Sequence, residues 1–269
     1  MRESEERRLE RMAELDRALS EALKLFEDHP DPSGDEQEIV REISELLYYV
    51  KQRNGFRFGE LFNLAFNPAS LRDEGNTRQM MLAAWNELVR FVTFDLSQEV
   101  LATTLRVENF LQRLLEKRFN SWNGKIAALL PSYRSGQWTA PEFETPELKD
   151  IVQEETAVDP RWLSGHYKNG KQFFEGEGKR NLRDALEPVI SAMASNYVER
   201  QSQMLTEAYL AQYRVQLNSL ARKLRETVLE HAQGLREALE MKADMEQLEQ
   251  ALDRLKRLIS EPQASTVRS

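Results

Sequence analysis

The sequence predicts an all-α protein, an elongated antiparallel helical bundle with one very long C-terminal helix and an irregular tip. Three observations carry that expectation. Only 11 glycines and 9 prolines punctuate the 269 residues, below the roughly 7% and 5% of average chains, so turns are few and elements long. Apolar residues recur at three- and four-residue spacing through most of the chain, the period of a helix with one buried face. The breakers are also concentrated: five prolines and six glycines fall between Asn120 and Pro188, which predicts one irregular region between two helical ones.

The first helix is expected over about Glu3 to Phe26, where Leu9, Met12, Leu15, Leu19, Leu23 and Phe26 line one face. The turn DHPDPSG ends it. Ser33 and Glu36 then have the spacing of a capping box ahead of EQEIVREISELLYYVKQR, in which hydroxyl and carboxylate satisfy orphan helix amides. After the apolar FGELFNLAFNP and the loop SLRDEGN, Asn76 and Gln79 start a third helix running to about Phe119, with Met81, Trp85, Leu88, Val92 and Leu96 on its stripe.

Residues 120–180 form the expected tip. One short acidic helix is expected inside it, TPELKDIVQEE, with Thr145 as N-cap and Pro146 at the first helical position, where a missing N–H costs nothing. From Asn181 to about Ile259 the helical pattern returns. Leu217, Leu220, Leu224, Val228, Ala232, Leu235 and Leu239 are followed by Met245, Leu248, Leu252, Leu255 and Ile259, the seam of a coiled coil or long bundle. Gly234 weakens it by about 1 kcal/mol relative to alanine, and Pro188 kinks it or marks its first turn. A helix of about seventy residues would reach about 100 Å. The expected organisation is a bundle of residues 1–119 and 181–259, a tip of 120–180, and a disordered tail of 260–269.

Several chemistries are disfavoured. The chain has no cysteine, so disulfides, thiolate metal sites and cysteine nucleophiles are excluded. His29, His166 and His231 are scattered, and no metal site is expected. No Ser/His/Asp set with a defined geometry can be assembled. GHYKNGKQ, Gly165 to Gln172, is nearly a phosphate loop, with Gly165, Gly170 and Lys171 in place. Yet Gln172 replaces the hydroxyl, and VDPRWLS before it is no strand. Asp31 to Gly34 fits D-x-x-G, but no base-reading motif accompanies it. No cofactor and no catalytic residue is expected.

Thirty-seven Lys and Arg against 45 Asp and Glu give −8, which argues against nucleic acid as a partner. Two stretches depart from that balance. Lys117 to Ala140 carries +4 around WNGKIAALLPSY and Trp138, and Arg161 to Arg183 also carries +4; Glu142 to Asp159 between them carries −6. Basic residues beside tryptophans favour an anionic lipid surface. The candidate membrane or partner tip is therefore Trp122, Lys125, Ile126, Leu129, Leu130, Arg134, Trp138, Arg161, Trp162, Lys168 and Lys171. The same aromatics equally suit a small core closing the bundle end.

Extended phrases carry a family resemblance. LLYYVKQRNGFRFGELFNLAFNPASLRDEG, FDLSQEVLATTLRVENFLQRLL, YKNGKQFFEGEGKRNLRDALEP and YVERQSQMLTEAY resemble the helical trunk of bacterial dynamin-like proteins, over roughly Glu42 to Phe119 and Tyr167 to Tyr213. The resemblance implies that Tyr167, Phe173 and Phe174 seat the start of the long helix. It also implies a trunk whose tip touches membrane and whose motor is a GTPase head. The head's motifs are missing here, so GTP hydrolysis belongs to another domain or polypeptide. The expected function is a non-enzymatic scaffold or lever in membrane remodelling or fusion, cytoplasmic or peripheral at the inner membrane face. The alternative is a helical interaction module that docks a dynamin-like GTPase head in trans or forms a homo-oligomer through its long helix.

Overall fold

The computed structural model describes residues 2–26, 31–71, 76–130, 133–134, 136–149 and 156–260. Its helices are α1 (Arg2–Lys24), α2 (Ser33–Ala65), α3 (Thr77–Leu129), α4 (Pro160–Gly165), α5 (Gly170–Phe174) and α6 (Gly178–Ser260). Among the described residues there is no strand. The expected all-α class is what the chain adopts. The tail from residue 261 lies outside the described residues.

The chain divides into two compact units, and α3 and α6 supply residues to both. The first comprises Met1–Asp31, Leu115–Thr139 and Gln216–Ser269. Its core gathers Leu15, Leu19 and Ala22 from α1, Ile126, Leu130 and Tyr133 from the end of α3 and the turn after it, and Val228 and Ala232 from α6. The spacing Phe119, Trp122, Ile126, Leu130 explains why α3 passes the expected end at Phe119. Each of these is buried, and their burial outweighs the roughly 1 kcal/mol that Gly124 costs in a helix. Trp122 meets Phe26 edge-on at 5.7 Å.

The second unit comprises Pro32–Leu114 and Ala140–Val215. In α2, Ile39, Ile43 and Leu47 are buried, followed by Phe58, Phe62 and Phe66, whose rings meet one turn apart at 5.9 and 4.8 Å. Pro32 and not Ser33 stands at the N-cap of α2, which has no side-chain cap bond. Glu36 instead takes a bidentate bond from Arg214, at 2.6 and 2.9 Å, so its carboxylate ties α2 to α6. At the start of α3, Asn76 does cap, accepting from the Arg78 amide at 3.0 Å.

Helix direction in this unit is written in its polar contacts. Arg53 and Arg57 of α2 pair with Glu99 and Asp95 of α3, so partner numbers fall as helix numbers rise and the two run antiparallel. Ser97 meets Tyr197 at 3.2 Å and Tyr209 donates to Glu108 at 2.8 Å. Here both numbers rise together, so α3 and α6 run parallel. The antiparallel bundle expected from the sequence is corrected for this pair by those contacts; α2 supplies the antiparallel neighbour of α6, through Glu36–Arg214 and Phe62–Lys179.

Parallel helices cannot be joined by a short turn, and the link has to return along them. Residues 140–149 do so in extended form. Gln112 donates to the Pro141 carbonyl at 3.1 Å, Thr145 donates to Glu108 at 2.8 Å, and Trp85 donates to the Thr156 carbonyl at 2.9 Å. From Gln112 back to Trp85 is about 40 Å of helix. Pro141 to Thr156 reaches about 50 Å when fully extended but only about 22 Å as helix. The expected short helix does not begin at Thr145. Residues 145–149 are extended, the Thr145 hydroxyl goes to Glu108 instead of capping, and residues 150–155 lie outside the described residues.

Two glutamines hold this strap to α6. The Gln212 amide donates to the Glu144 carbonyl and accepts from the Glu144 amide, both at 2.8 Å. Gln201 does the same to Lys149, at 2.6 and 3.3 Å. A primary amide carries the same donor and acceptor as a peptide unit, so each glutamine stands in for one rung of a sheet. The backbone groups of Glu144 and Lys149 are thereby paired without a neighbouring strand.

Candidate functional site

The candidate tip residues fall into two groups, one in each unit. In the first unit, Trp122, Ile126 and Leu130 are core residues and Leu129 packs against that core. Trp138 is half-buried, its ring 5.3 Å from Phe119. Tyr133 donates to Asn123 at 3.1 Å and meets His231 edge-on at 5.6 Å; burial pushes its phenol above the ordinary range. Lys125 and Arg134 are exposed. In this group the apolar side chains close a core, and the cations alone face outward.

The second group lies between the strap and the start of α6. Asp159 caps α4 by accepting from the Arg161 amide at 2.8 Å, with Pro160 at the first helical position. Trp162 is 41% exposed, and its ring stands 4.9 Å from His166. Arg161, Lys168 and Lys171 are exposed as well. Asn169 caps α5, accepting from the Gln172 amide at 2.8 Å. GHYKNGKQ is thus the end of one short helix, a turn and the start of another, and the glutamine amide satisfies the asparagine.

Tyr167 and Phe173 are buried, their rings 5.2 Å apart, with Phe174 5.1 Å from Phe173. They seat the first turn of α6, as the resemblance implied. The seat is tight: a Cβ on Gly178 would stand 3.1 Å from the Phe173 Cα and 3.2 Å from the His166 carbonyl oxygen, and one on Gly176 2.6 Å from the Gln172 carbonyl oxygen. Lys179 extends over the Phe62 and Phe174 rings at 5.9 and 5.7 Å, and burial lowers its ammonium below the ordinary lysine range. A cleft of about 290 Å³ opens here, lined by Gly165, His166, Lys168, Gln172, Phe173, Gly178 and Asn181.

The sequence reading did not single out the polar hub under the strap. Glu108 accepts from both Thr145 and Tyr209 at 2.8 Å, joining α3, strap and α6 at one carboxylate. Burial, then the bond to Glu108 and its charge, drive the Tyr209 phenol far above the ordinary range, so it remains a donor at every physiological pH. The signal in the sequence was Gln201, a polar residue with no solvent exposure on the apolar face between Tyr197 and Leu205. Among the described residues no group of three His, Asp or Glu side chains is placed to hold a metal ion, and no helix is long and apolar enough to cross a membrane.

An all-helical architecture with a long helix seated on an aromatic turn is the class these features define. No protein-family model matches the chain, and no solved structure matches it. Dynamin-like protein A of Bacillus subtilis (strain 168) is similar to it, 21% identical over 186 residues. The match covers 66% of this chain and 15% of that protein, so the chain spans a small part of its relative's length. The relationship is a distant, dynamin-like one.

Proposed function

We propose that the chain is a non-enzymatic dynamin-like trunk that acts as a membrane-associated scaffold or lever in membrane remodelling or fusion. The carrying observation is the similarity to Dynamin-like protein A across two thirds of an all-helical chain. Trp162 with Arg161, Lys168 and Lys171 is the lipid-facing group, because it combines an exposed indole with three exposed cations. Each basic residue near an anionic surface contributes about 1 kcal/mol. Trp122, Ile126 and Leu130 are left out of that surface, since they are core.

Flotation of the purified chain with phosphatidylglycerol-containing vesicles, at low and high salt, tests this reading. Binding should weaken with salt and be lost in Trp162→Ala/Lys168→Glu/Lys171→Glu, whose altered side chains are exposed and leave the fold intact. Absence of binding at low salt removes the proposal. A second reading, self-assembly through the long helix, is supported by Met241, Met245, Leu248 and Leu252, each more than half exposed.

A further inference from the structure

In the first unit, the buried face of α6 follows Val228, Ala232, Leu235 and Leu239, all within or against the core. The apolar stripe then changes face. Met241, Met245, Leu248 and Leu252 recur at four, three and four residues, with exposures of 67, 58, 59 and 54%. At 3.6 residues per turn they lie roughly 140° around the helix from the buried stripe. The face that packs within the unit is therefore not the one that carries the last apolar run. Backwards along the exposed face come Ala238 and Gly234, both exposed; forwards, the sequence continues it with Leu255 and Ile259.

We infer that this stripe pairs with the same stripe of a second copy in an antiparallel two-helix coiled coil spanning residues 234–259, about 38 Å of helix. The inference rests on the self-assembly reading and adds partner, register and direction. Set antiparallel, the core layers match Met245 with Leu248 of the second copy and Met241 with Leu252. A Cβ on Gly234 would have nothing within 4 Å in its own chain.

Charge selects the same direction. Lys242 and Glu249 flank the layers, and antiparallel pairing sets Lys242 beside Glu249 of the second copy, twice by symmetry, with no like-charge pair among the flanking positions. Parallel pairing would instead set Asp244 beside Glu249 twice, which offsets the attraction of Glu237 for Lys242, and would match Gly234 with itself and leave a void there.

Sedimentation equilibrium of the full chain at micromolar concentrations tests it. A dimer is expected, and Leu248→Glu, an exposed site, should give a monomer with unchanged helical circular dichroism and melting temperature. Lys242→Glu and Glu249→Lys should each weaken the dimer about tenfold, and the double exchange should restore it. Because the chain has no cysteine, Met241→Cys and Leu252→Cys chains can be mixed and oxidised; a mixed disulfide is expected. A monomer at every concentration, or a dimer indifferent to Leu248→Glu, overturns both the inference and the self-assembly reading on which it rests. A dimer that Glu249→Lys tightens, or in which Leu252→Cys links only to itself, overturns the antiparallel register and leaves self-assembly standing.

Discussion

Replacing Gln201 by methionine keeps the length of the side chain and removes both hydrogen bonds of the buried clamp. The Lys149 carbonyl loses a donor at 2.6 Å and the Lys149 amide an acceptor at 3.3 Å. Gln201 has no solvent exposure, so water replaces neither partner until the strap lifts. Each bond is worth about 1 kcal/mol net, and stranding partly buried backbone groups adds to that, for a total of about 2–3 kcal/mol. Gln212→Met, at the more open clamp, should cost about 1 kcal/mol, since water can take over its bonds. Gln201→Glu still accepts from the Lys149 amide but turns a carboxylate oxygen toward the Lys149 carbonyl. It should destabilise more than methionine at neutral pH and recover in acid, where the protonated carboxyl donates again. Urea denaturation read by circular dichroism gives the stabilities, and amide exchange at Lys149 reports the strap itself. A Gln201→Met protein within about 0.5 kcal/mol of the parent, with Lys149 exchange unchanged, would refute the idea that glutamines hold this segment.

Glu108→Ala removes the acceptor shared by Thr145 and Tyr209 and should cost about 2–3 kcal/mol, visible as a lowered urea midpoint and a shifted Tyr209 ring signal. Gly178→Ala forces a methyl to within 3.1–3.2 Å of backbone atoms and should lose about 1–3 kcal/mol; Gly59→Ala, with nothing within 4 Å, should be neutral or gain up to about 1 kcal/mol in the same melts. Burial raises the Asp95 carboxyl above the ordinary aspartate range even though Arg57 beside it pulls the other way. The folded chain therefore holds that proton to higher pH than the unfolded chain, and this group's contribution to stability is present in acid and lost as pH rises through the folded value. Asp95→Asn should gain on the parent across that window, and Arg57→Met should move the Asp95 titration, followed by carboxyl NMR, further upward.

The elements of this fold were largely legible, because an apolar three-four stripe states that a helix exists and which face it buries. Ile39, Ile43 and Leu47, or Leu182, Leu186 and Ile190, say no more than that, and no less. A stripe does not state the direction of its partner. Direction is held here by polar side chains within the seam, Glu108, Gln201 and Gln212, whose partners lie 37 to 101 residues away. Trp122 suits both a lipid surface, by its chemistry, and a core closing the bundle end; its spacing from Phe119 and Ile126 decides for the core, where it is buried. The strap departs from its expected helix for a tertiary reason: Thr145 and Pro146 form a sound helix start locally, and the bond that takes the Thr145 hydroxyl to Glu108 is a long-range contact. Tyr167 and Phe173 do sit together against the start of α6, as the family resemblance implies.

The parallel course of α3 and α6 underlies every assignment made in the second unit, and one pair of distances tests it. Spin labels placed at the half-buried Glu87 and the exposed Glu187, and separately at Glu87 and the exposed Glu207, can be introduced through cysteines into a chain that has none. Parallel helices place the first pair closer than the second by about 20 Å, as twenty residues of helix add about 30 Å along the axis. A second pair closer than the first would mean that the helices run in opposite directions, and the strap would have no distance to cover.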